Sequence, residues 1–222
     1  ITSVKSTQKI TRAMKMVAAA RLRRAQQAVQ AARPFQQASR AMLTQVAAVA
    51  DLGDHPLAQQ REPKRVHIVV FGSDRGLAGA FNVNVAKALE AALRQATESE
   101  QVVTVTTVGR RAGLALNLAE RAGHASVTRA GEHLIGDVQD QGGIFSSNLA
   151  NTLIDAYAAS EVDKVVLIYT AFRSAIAQEV VTRDVLPLSL DANDADDATL
   201  TPALYEPDPA TLMHQVPRPF GR

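Results

Sequence analysis

"RVHIVVFGSDRGLAGAFNVNVAKALEAALRQA", residues 65–96, decides the fold class of this 222-residue chain. Residues 65–72 form a short β-branched apolar run, the pattern of a strand buried on both faces. "SDRGLAGAFN" (73–82) is a turn punctuated by Gly76 and Gly79. "VNVAKALEAALRQA" (83–96) carries apolar side chains at helical spacing. Strand, glycine turn and amphipathic helix in one run make half of a strand–helix–strand unit.

The same alternation continues toward the C-terminus. "QVVTVTTVG" (101–109) predicts a second strand, residues 110–123 a helix and residues 143–161 another helix. "DKVVLIYTAF" (163–172) predicts a third strand. "AIAQEVVTRDVLPL" (175–188) predicts a fourth, whose apolar–polar alternation implies one exposed face and an antiparallel neighbour. The repetition indicates an α/β, Rossmann-like layered domain with right-handed crossovers over 64–190. Residues 191–222 open with the acidic stretch "DANDADDA" (191–198), read as a solvated loop. "YEPDPATLMHQV" (205–216) begins like a helix, with Asp208 as cap and Pro209 in the first turn. "PRPFGR" (217–222) stops it.

On the N-terminal side, 51–63 reads as a linker and 1–50 as one long helix. The helix is rich in Ala, Gln, Arg and Met, with a bend expected at residues 32–34 because of Pro34. Its first 33 residues alone span roughly 50 Å. On a heptad, Thr7, Ile10, Met14, Val17, Ala28, Ala31, Phe35, Ala38, Met42 and Val49 fall along one seam. Arg21 and Arg24 weaken that seam in the middle. A seam this narrow suits a two-helix coiled coil, not a helix laid flat on a core. No later segment offers a partner of matching length.

Charge separates the helix from the rest. Residues 1–50 hold nine Lys or Arg and no Asp or Glu, leaving fifteen basic and twenty-two acidic residues for the remainder. The basic part therefore has a partner of its own. Cysteine is absent, which excludes disulfides, thiolate metal sites and cysteine nucleophiles. No apolar run approaches the roughly 18–20 residues a bilayer span requires.

Catalytic groupings are thin. The turn at 73–82 opens a helix, where phosphates often bind, yet it matches neither GxxxxGK[ST] nor GxGxxG. Its glycines read as the requirement of a tight strand-to-helix turn, and Asp74 with Arg75 as a loop ion pair or surface contact. His55, His67, His124, His133 and His214 lack ligand spacing. Asp137 and Asp140 read as solvated loop carboxylates, and no Ser sits in a GxSxG elbow. Catalytic, cofactor-binding and metal-binding residues are therefore expected to be none. Two further readings stay open: a nucleotide-dependent α/β enzyme using the Gly76–Gly79 turn, and nucleic-acid binding by the basic helix.

"SVKSTQKITRAMKMVAAARLRRAQQAV" (3–29), "ARPF" (32–35), "SDRGLAGAFN" (73–82) and "LYEPDPATLM" (204–213) together resemble the γ subunit of F-type ATP synthases, in order and spacing over nearly the whole chain. Ala78 departs from the pattern, since many relatives have Cys there. The resemblance implies a non-catalytic rotor. Its N-terminal helix pairs antiparallel with a long C-terminal helix inside a hexamer of α and β subunits. Its α/β foot stands beside the ε subunit above the ring of c subunits. It implies that Lys5, Lys9, Arg12, Met14 and Lys15, and the turn Arg75, Gly76, Leu77, Ala78 and Gly79, face the α/β hexamer. Tyr205, Glu206 and Asp208 would face ε and the c-ring. It also implies a peripheral position on the cytoplasmic, matrix or stromal face of an energy-coupling membrane, here a bacterial plasma membrane. The family's long helix after "YEPDP" has no counterpart before Arg222, so the partner helix is expected to be absent from this chain.

Overall fold

The computed structural model describes residues 2–49, 55–123, 127–174 and 177–188. The N-terminal helix α1 runs Thr2–Val49. It continues as one helix through Pro34, the position at which a bend is expected. The proline removes only one donor, and the carbonyl so freed belongs to Gln30 on an exposed surface. At 48 residues α1 is about 70 Å long. From Ser3 to Ser39 every residue but Gln26 and Ser39 is exposed, the seam included: Met14 is 65% and Phe35 69% accessible.

Five strands form one sheet in the order β3-β2-β1-β4-β5. Strand β1 (Arg65–Phe71) lies at its centre, parallel to β2 (Val102–Val108) on one side and to β4 (Lys164–Phe172) on the other. Strand β3 (Val127–His133) adds parallel to β2, and β5 (Gln178–Leu186) closes the other edge antiparallel to β4. The antiparallel partner expected for 175–188 is thus β4. Helices α2 (Phe81–Glu98) and α3 (Arg110–Arg121) cover one face. The short α4 (Ile135–Asp140) and α5 (Gly143–Ala158) follow β3.

The period-2 geometry of β1 sorts its side chains between two cores. Val66, Ile68 and Val70 pack with Val85, Leu89 and Leu93 of α2 and with Ala112 and Leu116 of α3. Val69 and Phe71 pack with Phe145, Leu153 and Tyr157 of α5. Leu89 and Leu93 are fully buried, each contributing on the order of 2 kcal/mol. Residues 57–61 are tied to this second layer. Tyr157 Oη donates to the Gln59 carbonyl at 2.7 Å, Leu188 N–H to the Leu57 carbonyl at 2.8 Å, and Arg61 lies 4.8 Å over the Tyr157 ring.

Strand β3 and helix α4 carry no sequence signal of their own. "VTRAGEH" has only Val127 and Ala130 as apolar residues, because an edge strand with one exposed face needs little more. Its place comes from pairing with β2 and from Arg129, whose guanidinium pairs with Glu120 of α3 and with Glu132. Asp137 and Asp140 fall in α4, not in a loop, and both are exposed as expected.

Candidate interaction site

The turn between β1 and α2 sits at the carboxyl end of the parallel strands. There it meets the starts of α3 and α4, brought by the crossovers after β2 and β3. Ser73 anchors it from below: its N–H donates to Asn82 Oδ1 at 3.2 Å, and its hydroxyl lies 2.9 Å from the same oxygen and 2.7 Å from the Arg75 carbonyl. The Arg111 N–H donates to the Ser73 carbonyl at 2.8 Å.

Asp74 does something its sequence context does not suggest. Its Oδ1 accepts from the N–H of Arg110 and of Ile135, each at 3.1 Å, and its Oδ2 from the N–H of Gly136 at 3.2 Å. One carboxylate thus caps α3 and α4 together, where free N–H groups and the helix dipole favour negative charge. Burial pushes the carboxyl upward. The N–H bonds from Ile135, Arg110 and Gly136 and the Arg110 charge outweigh that and hold Asp74 below the usual carboxylate range. Of the two readings of Asp74 with Arg75, the ion pair is not found among the described residues: Asp74 is a tertiary cap and Arg75 stands at the surface. The cap also means that the anion position at the head of α3 is filled by the protein's own side chain.

Beyond the cap the turn faces outward. Arg75, Gly76, Leu77, Ala78 and Gly79 are all exposed. Leu77 stands fully in solvent at φ +59, a left-handed conformation that costs a branched side chain free energy. Gly76 has a local reason: a Cβ there would stand 2.7 Å from the Arg111 guanidinium.

The second predicted set, Lys5, Lys9, Arg12, Met14 and Lys15, lies on α1 and is exposed throughout. Among the described residues no hydrogen bond or ion pair joins it to the turn; the structure unites Arg75–Gly79 with α3, not with α1. Tyr205, Glu206 and Asp208 lie outside the described residues. The residues that sequence reasoning missed are Arg110 and Arg111, which no spacing rule links to a turn 35 positions earlier.

Among the described residues no group of three His, Asp or Glu could hold a metal. His67 is buried beneath the sheet with Nε2 2.9 Å from Thr106 Oγ1. His133 stacks edge-on to Phe145 at 4.8 Å. A groove of about 330 Å³ between α5 and β5 is lined by Leu57, Phe71, Leu149, Leu153 and similar side chains, with no titratable group. No described helix is long and apolar enough to cross a membrane.

A solvated helix bearing only positive charge, followed by a five-stranded α/β domain with an exposed turn at the ends of its parallel strands, defines the architecture. The ATP synthase family matches residues 1–219. The ATP synthase gamma chain of Trichlorobacter lovleyi is 34% identical over 97% of this chain and 72% of the relative, and that of Rhizobium leguminosarum bv. trifolii is 39% identical over 98% and 74%. Among solved structures, the central stalk and c-ring of the Tetrahymena thermophila mitochondrial ATP synthase shows 18% identity and a TM-score of 0.48 over 86% of each chain. The chain belongs to the ATP synthase γ-subunit family, and its role is that of the non-catalytic rotor.

Proposed function

We propose that α1 is the shaft of the rotor and 64–190 its foot, with 51–63 as linker and 191–222 as an acidic loop and the start of a C-terminal helix. In this reading Lys5, Lys9, Arg12, Met14 and Lys15 and the turn Arg75–Gly79 face acidic segments of the α and β subunits. Tyr205, Glu206 and Asp208 face the ε subunit and the c-ring. Rotation of the ring turns the shaft, whose asymmetric surface takes the catalytic β subunits through successive nucleotide affinities. That is coupling by rigid rotation of one subunit within others. The subunit is peripheral, on the cytoplasmic side of a bacterial plasma membrane, with no nucleic acid among its partners.

The observation that carries this reading is α1 itself. It is a 48-residue helix, exposed along an apolar seam and bearing only positive charge among its ionisable side chains. An exposed ion pair contributes only about 0–1 kcal/mol, so a surface of one sign attracts several acidic partners in turn without locking to one. Co-expression with α and β subunits, followed by purification through a tag on β, tests it. Recovery of this chain with the hexamer, lost on deleting residues 1–30, is expected. Equal recovery without those residues overturns the shaft assignment.

A further inference from the structure

We propose that Arg111, with Arg110, extends the Arg75–Gly79 turn into a three-arginine cluster that receives a carboxylate-rich segment of the catalytic β subunit; this rests on the reading that the turn faces that subunit. The cluster is made by the fold. Residues 110–111 are bonded directly to residues 73–74, through Arg111 N–H to the Ser73 carbonyl and Arg110 N–H to Asp74 Oδ1. The Arg111 side chain then crosses the turn, passing so near Gly76 that a Cβ there would stand 2.7 Å from it. Arg75, Arg110 and Arg111 are all exposed.

The nearest acid, Asp74, offsets part of the Arg110 charge and, among the described residues, has no ion pair with Arg75 or Arg111. Asp74 spends both oxygens on three backbone N–H groups. Among the described residues neither Arg75 nor Arg111 has a carboxylate partner. Within the α/β domain four other arginines do have carboxylate partners: Arg65 with Asp163, Arg94 with Glu90, Arg129 with Glu120 and Glu132, and Arg173 with Glu179. Guanidinium groups match carboxylates in forked, two-point geometry. Unpaired guanidiniums around a strained, solvated leucine therefore fit an acidic protein segment with an apolar residue near its carboxylates. A phosphate at the head of α3 is disfavoured, because Asp74 already occupies that position.

The test uses the assembled complex, with Arg111→Lys and Arg75→Lys prepared separately and Arg129→Lys as control. A carbodiimide joins an amine to a carboxylate it touches, and mass spectrometry maps the links. The control links within the chain to Glu120 or Glu132. Position 111 is expected to link to Asp or Glu of the β subunit, as is position 75. Linkage from 75 alone overturns the cluster and leaves the turn's orientation standing. Silence at both, with the control linked, overturns both readings. Linkage of 111 to a subunit other than β also overturns it.

Discussion

Gly72 and Gly109 cross at the carboxyl ends of β1 and β2 so closely that a Cβ on Gly109 would stand 2.8 Å from the carbonyl carbon and oxygen of Gly72. Gly109 also holds φ +98, a backbone region that side chains rarely adopt. Gly109→Ala is therefore expected to destabilise the foot by about 2 kcal/mol or more. Gly79 has φ +55 but nothing within 4 Å of a Cβ, so Gly79→Ala should cost about 1 kcal/mol. Urea melts followed by circular dichroism check the ranking; a reversed order would contradict it.

Asp74 joins the turn to two helices, so its loss should be felt at a distance in sequence. Asp74→Ala leaves the N–H groups of Arg110, Ile135 and Gly136 without their acceptor and should cost about 2 kcal/mol. Hydrogen exchange should rise first at residues 110–113 and 135–138, while β1 stays protected. Uniform loss of protection across the sheet would mean that Asp74 only supports global stability.

Acid should weaken the foot in two steps. Burial lowers the His67 pKa, so the native state favours neutral imidazole. Its contribution is complete above the unfolded value of about 6.5 and is lost as pH falls from there through the lower folded value. Asp163 is 4% accessible and paired with Arg65 at 2.7 Å. The hydrogen bonds from the Arg65 side chain outweigh burial and, with backbone N–H bonds and charge, hold its carboxyl below the usual range. Its contribution is present above about pH 3.9 and disappears below. Asp163→Asn should remove about 2 kcal/mol at pH 7 and flatten the lower step; the pair His67→Val with Thr106→Val should flatten the upper one. Chemical denaturation from pH 3 to 8 reads both, and an unchanged upper step in the paired variant would place it elsewhere.

The exposed helix should be the weakest part of the isolated chain. Packing supplies most helical stability, and α1 lacks it from Ser3 to Ser39. Hydrogen exchange at micromolar concentration should show weak protection for residues 7–30 and strong protection for 66–70. Protection should then rise in α1 within the hexamer. Equal protection in the dilute monomer would argue against a helix that depends on a partner.

Much of this was legible without coordinates. β1, β2 and β4 are apolar runs that only a two-sided sheet can bury, and each lies within two residues of its expected bounds. The N-terminal helix and its unpaired seam were readable because helical periodicity and charge are local properties. β3 and α4 were not, because "VTRAGEH" has no pattern apart from its hydrogen bonds to β2.

Local order thus determined the elements: which residues form strand, turn and helix, the single sign of charge on α1, and the motifs that place the chain in its family. The tertiary structure alone decided the strand order, the pairing of Asp163 with Arg65, and the meeting of Asp74 with Arg110 and Ile135, 36 and 61 positions away. Propensity and periodicity act over one or two turns of chain. A cap or an ion pair between distant segments exists only after the sheet has brought their backbones within hydrogen-bonding distance.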